Sequence, residues 1–127
     1  MKNKIGEASI KVHQKVGGKL GTYSKVPLKT ARDLSIAYTP GVAAVSLAVA
    51  KNPKKAFTLT LKKNSLAVVS DGSKVLGLGN LGALGAIPVM EGKCVLFKEF
   101  GGIDAFPICV NTQDVQEIIR IVREISP

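Results

Sequence analysis

The 127-residue chain is 46% hydrophobic and carries a formal net charge of +9, which suits one compact α/β-sized domain and excludes a disordered polymer. No run approaches about 18 consecutive apolar residues and residues 1–10 hold no apolar signal core, so neither a membrane span nor secretion is expected, and a cytoplasmic setting is. The charge is one-sided: residues 1–63 hold thirteen Lys or Arg against two acids, +11, whereas residues 64–127 hold five against seven, −2.

Residues 1–20 read as a weakly amphipathic helix that runs into Gly17-Gly18 and Gly21. Segment 22–37 is polar and irregular, with Pro27 and a short run, Ala31 to Ala37, suited to a brief helical turn. In Tyr38-Thr39-Pro40-Gly41 the threonine suits an N-cap, and the proline suits the first helical position, where its missing N–H costs nothing. Val42, Val45 and Val49 then line one face of a helix stopped by Asn52-Pro53. Lys51, Lys54, Lys55, Lys62 and Lys63 gather around that proline, a patch fit for an anionic metabolite or an acidic partner surface. With Arg32 the only arginine of the basic half, few aromatics and no RNP, KH or zinc-finger pattern, nucleic acid is not an expected partner.

Leu66 to Val69 reads as a buried strand ending in the turn Ser70-Asp71-Gly72, and Val75 to Leu78 as a second short strand. A glycine-rich entry leads to a helix from about Val89 to Phe100, closed by Gly101-Gly102. Ala105 to Val110 is the next strand, with Pro107 marking a bulge or an edge. Asn111 or Thr112 caps a last helix, whose apolar face carries Val115, Ile118, Ile119, Val122 and Ile125. This alternation predicts an α/β fold, a small parallel sheet with βαβ connections flanked by helices. So small a sheet needs further protein on its other side, which points to a portion of a longer enzyme or to an obligate oligomer.

Several constellations carry chemistry. Cys94 and Cys109 lie in apolar runs with no CxxC spacing, and read as free buried thiols of a reducing compartment. His13, the single histidine, reads as a surface residue. Gly77-Leu78-Gly79-Asn80-Leu81-Gly82 matches G-x-G-x-x-G, but Glu99 falls at a helix end and Pro88 interrupts the helix that the motif should open. A dinucleotide cradle and a plain glycine-rich turn both stay open on these residues. Lys93 has Val89, Leu96, Phe97 and Phe100 on its own helical face, so it either snorkels or projects into a cleft as a desolvated base. Tyr38, beside a helix entrance, is either a proton donor or anion binder, or a hydrophobic staple.

The segments Leu34-Ser35-Ile36-Ala37-Tyr38-Thr39-Pro40-Gly41-Val42, Ala67-Val68-Val69-Ser70-Asp71-Gly72 through Gly82, and Pro88-Val89-Met90-Glu91-Gly92-Lys93-Cys94 through Lys98 resemble the N-terminal domain of bacterial and archaeal malic enzymes. Ile103-Asp104-Ala105-Phe106-Pro107-Ile108 continues the likeness, which runs from about Lys25 to Pro127, with 1–24 as a leading helix and glycine-rich linker and 25–127 as the family-like domain. The resemblance implies oxidative decarboxylation of (S)-malate to pyruvate and carbon dioxide, with NAD or NADP and with Mg²⁺ or Mn²⁺. It implies that Tyr38 protonates the enol and that Lys93 is, or assists, the base at the C2 hydroxyl. It places the glycine-rich motif in the substrate domain and the dinucleotide on a separate C-terminal domain, and it implies homodimers. The family's acidic metal ligands and cofactor domain lie beyond these 127 residues, so no cofactor-binding or metal residue is assigned and the isolated chain is expected to be inactive. The alternatives are a portion of a malolactic enzyme, yielding lactate, and a non-catalytic interaction module.

Overall fold

The computed structural model describes residues 2–126, with side chains described for residues 4–126. The chain folds into two compact units, residues 22–65 and residues 1–21 together with 66–127. The first helix, α1 (Lys2–Val16), ends where Gly17 and Gly18 both donate their N–H groups to the His13 carbonyl, at 2.9 and 3.2 Å. His13 is half-buried rather than fully exposed, and its Nδ1 donates to the Ser9 carbonyl at 2.8 Å.

In the unit 22–65, α2 (Ala31–Ala37) is set by a capping box: the Thr30 hydroxyl accepts from the Asp33 N–H and the Asp33 carboxylate accepts from the Thr30 N–H. The expected brief turn is therefore a capped seven-residue helix. α3 (Val42–Lys51) follows, and Asn52-Pro53 stops it as the sequence predicts. A 3₁₀ turn (Pro53–Lys55), the short α4 (Ala56–Leu59) and a second 3₁₀ turn (Leu61–Lys63) complete the unit and carry the lysine cluster. The Lys62 ammonium sits 5.5 Å from the centre of the Phe57 ring. No side chain of this unit is buried, and Leu47 and Leu61 are 71% and 68% exposed. Residues 31–51 are together apolar and long enough to cross a membrane by composition, with a mean hydropathy of 1.4. The break at residues 38–41 divides them into helices of seven and ten residues.

The other unit is built on a two-stranded parallel sheet, β1 (Ser65–Ser70) and β2 (Asp104–Cys109), joined through α5 (Gly82–Gly101). This is the expected βαβ arrangement flanked by helices. α5 packs on β2 and turns Ala83, Ala86, Met90 and Cys94 inward, which with Val75 and Val110 form the core. Three local expectations differ. Val75–Leu78 is not a strand but a tight turn, closed by Leu78 N–H to the Val75 carbonyl at 2.7 Å, with Leu76 and Gly77 both at positive φ. α5 begins seven residues before Val89 and runs through Pro88, because its small inner residues dock on β2 and outweigh the one rung a proline removes. The last helix, α6 (Val115–Ile125), is capped by Asp114, whose carboxylate accepts from the Glu117 N–H at 2.8 Å. Thr112 is not the cap because its hydroxyl is engaged with the Asp114 N–H and the Glu117 carboxylate.

Candidate active-site elements

Tyr38 sits at the joint of α2 and α3, not just before a cap at Thr39. Its N–H donates to the Leu34 carbonyl at 2.8 Å, ending α2, and its own carbonyl accepts from Val42 N–H at 2.7 Å, starting α3. Gly41, rather than Thr39, is the capping position, and Pro40 follows a cis bond instead of opening the helix. The joint is tight: Gly41 N–H donates to the Ser35 carbonyl at 2.8 Å, and a Cβ on Gly41 would lie 2.6 Å from that same oxygen. With its backbone bonded in both directions, Tyr38 presents its ring outward, 65% exposed. A phenol on a fixed backbone and open to an incoming molecule can donate a proton.

Lys93 lies in the middle of α5, eleven residues from its start and about 16 Å along the axis from the glycine-rich loop. The helical spacing reading places it correctly among Val89, Leu96, Phe97 and Phe100. That face is not the core face of this chain, however: Lys93 is exposed, and Leu96, Phe97 and Phe100 are 55%, 40% and 87% exposed. The folded unit therefore does not itself withdraw the ammonium from water. Lys93 is the one charged group on an outward apolar face, since Glu91, Lys98 and Glu99 project elsewhere by the helical period.

The glycine-rich motif does open a helix, since Gly82 is the first residue of α5. Asn80 holds the entry: its Oδ1 accepts from the Gly82 N–H at 3.0 Å, while its amide pairs reciprocally with Gln113, both contacts at 3.1 Å. Glu99 is in the last turn of α5, remote from the end of β2 where a ribose-binding acid belongs. At the end of β1, the Ser73 N–H and hydroxyl hold the Asp71 carboxyl below the usual carboxylate range. Among the described residues no group of three His, Cys, Asp or Glu side chains is placed to hold a metal ion. Cys94 is buried and Cys109 half-buried, and both are free. Burial pushes both thiols up, with the Glu91 carboxylate adding to the shift at Cys94. Tyr38 and Lys93 belong to different units.

One set of contacts had no signal in the spacing of residues. Lys19 reaches α5, its Nζ donating to the Pro88 carbonyl at 2.7 Å and its backbone N–H to Glu91 Oε2 at 3.3 Å. The contact joins residues about seventy positions apart, so no periodicity of the sequence encodes it.

The profile of the malic enzyme N-terminal domain matches residues 17–121. An NAD-dependent malic enzyme of Geobacillus stearothermophilus is 61% identical over 112 residues, covering 88% of this chain and 23% of that protein. A bifunctional malic/malolactic enzyme of Bacillus subtilis is 49% identical over 123 residues, covering 97% of this chain and 30% of that protein. The solved NAD-dependent malic enzyme of Thermotoga maritima superposes with a TM-score of 0.88 at 50% identity, covering 91% of this chain and 33% of that one. Further relatives are named NADP-dependent malic enzymes. The chain thus spans less than a third of the length of these proteins, and a purely malolactic reading is not favoured. By profile, sequence and superposition alike, this chain belongs to the malic enzyme family, within the part that forms its N-terminal domain.

Proposed function

We propose that this chain supplies Lys93 as the base and Tyr38 as the proton donor of a malic enzyme that converts (S)-malate to pyruvate and carbon dioxide with reduction of NAD or NADP. The observation that carries the reading is Lys93 itself, a lone ammonium on an otherwise apolar, outward face of α5. Further protein packed over that face would leave Lys93 as its polar group, in reach of the hydroxyl of a bound substrate. The amine then takes the proton of the malate C2 hydroxyl. Tyr38, exposed on its two-helix joint, gives a proton to C3 of the enol left by loss of carbon dioxide.

Accepting hydride is the chemistry of NAD or NADP, and stabilising the enolate is that of a divalent cation such as Mg²⁺ or Mn²⁺. The described residues do not fit either group, having no cluster of metal-ligating side chains and no acid at the end of β2. The 127 residues alone are expected to turn over no malate. A homodimer in a cytoplasmic setting that keeps Cys94 and Cys109 reduced completes the proposal.

The test is made in the complete polypeptide or complex in which this chain works. Lys93→Ala should abolish turnover with folding retained, and Tyr38→Phe should lower the rate roughly 10²–10⁴-fold, the usual worth of a positioned acid or base. Near-native kinetics in both variants would overturn the assignment. Product analysis separates pyruvate from lactate.

A further inference from the structure

We propose that Lys19 and Glu91 form a positioning latch that fixes the turn of α5 immediately before Lys93. The proposal rests on the reading of Lys93 as the base. Pro88 has no N–H, so the Leu84 carbonyl lacks its i+4 donor, and the helix is one rung short just ahead of the functional lysine. Lys19 holds the turn that follows this gap at two points. Its ammonium donates to the Pro88 carbonyl at 2.7 Å, and its backbone N–H donates to the Glu91 carboxylate at 3.3 Å.

The two contacts span residues 88–91, one helical turn, and the Lys93 N–H belongs to the next rung, bonded to the Val89 carbonyl by the helical pattern. The Lys19 ammonium also passes 3.6 Å from where a side chain on Gly92 would begin, which places it beside the residue preceding Lys93. Gly18 makes the approach feasible. It holds φ +96°, and a Cβ there would stand 2.8 Å from Glu91 Oε1 and push the carboxylate away. The family profile begins at residue 17, so the latch lies inside the matched segment while α1 lies outside it.

Lys19 and Glu91 are positioning residues and touch no reacting atom. They hold the axial position and rotation of the helix that carries one. Such groups act on kcat more than on KM, because they set the geometry of the reacting pair and not the attraction for substrate.

The experiment compares Lys19→Met, Lys19→Arg, Glu91→Ala and Lys93→Ala in the complete enzyme, with rates expressed per folded protein. Amide exchange is followed across residues 89–94. Lys19→Met, which keeps the aliphatic stem and loses the donor, should lower kcat about 10- to 100-fold with KM little changed, and amides 89–94 should exchange faster. Lys19→Arg, which keeps a donor, should restore most of both, and Glu91→Ala should resemble Lys19→Met. If Lys93→Ala leaves turnover intact, the reading of the base fails. If Lys93→Ala abolishes turnover while Lys19→Met changes only the melting temperature, and neither kcat nor the exchange of 89–94, the latch is refuted and the base stands.

Discussion

A methyl group added at Gly72 has no room. The residue holds φ +72°, and a Cβ there would collide with the carbonyl of Gly82, where the turn after β1 backs onto the first residue of α5. The Gly72 carbonyl also accepts from Leu81 N–H at 3.1 Å, so the turn cannot shift aside without losing a bond. Gly72→Ala should therefore cost more than the roughly 1–2 kcal/mol of a left-handed non-glycine residue alone, read as a lowered urea midpoint. A midpoint equal to that of the unsubstituted protein would mean that the close approach does not exist. The turn itself was readable as Ser70-Asp71-Gly72, because glycine and aspartate advertise it. The next turn was not, since Leu76 takes a positive φ that a leucine gives no reason to expect, and Val75 and Leu78 look like strand residues. Lys93 shows a subtler limit. Its apolar neighbours followed from helical spacing, but nothing in that spacing says which of two apolar faces a chain this short will cover.

Helix ends follow the same logic one level up. The capping box on α2 rests on Asp33, whose carboxyl the Lys29 N–H, with the Thr30 hydroxyl and N–H, holds below the ordinary value of 3.8. A depressed carboxyl contributes stability that is present above its unfolded value and lost as pH falls through the folded one. Asp33→Ala should thus lower the helicity or melting temperature of the protein near neutral pH, and the gap to the parent should close as pH drops below 3.8. A gap that is constant through the acid range would show that the charge of Asp33 plays no part. Thr30 and Asp33 had the S/T-x-x-acid spacing needed to find this cap, whereas the starts of α3 and α6 were misplaced because Thr39 and Thr112 also offer capping oxygens. At Thr112 that oxygen is engaged with Asp114 N–H and the Glu117 carboxylate instead. Pro88 misled by two residue properties pulling against each other, its local cost against the docking of Ala83 and Ala86 on the sheet.

For the whole molecule, apolar surface exceeds what 127 residues cover. Val115, Ile119, Val122 and Ile125 of α6 remain 65%, 40%, 38% and 43% exposed, and Leu84 and Phe100 of α5 82% and 87%. Removing such surface from water is worth about 25 cal/mol per Å² before the costs of association. We expect the protein to sediment as a dimer at about 0.15 M salt and to weaken at low salt, where a charge of +9 repels its copy. A folded monomer across the micromolar range at that salt would reject this. The α/β class and the βαβ order were legible in the alternation of strand and helix patterns, but the exposure of these faces was not, because hydrophobic periodicity marks what must be covered without naming the cover. The sheet adds a directional constraint of its own. Val110 N–H bonds to the Ser70 carbonyl, so by the alternation of a parallel strand Phe106 and Ile108 also face β1, and Pro107 turns its donorless nitrogen to the open side of β2. A strand arriving there would find a gap in the row, while the open side of β1 offers Ala67 and Val69 with their donors intact. One imino acid thus gives a two-stranded ribbon a preferred direction of growth.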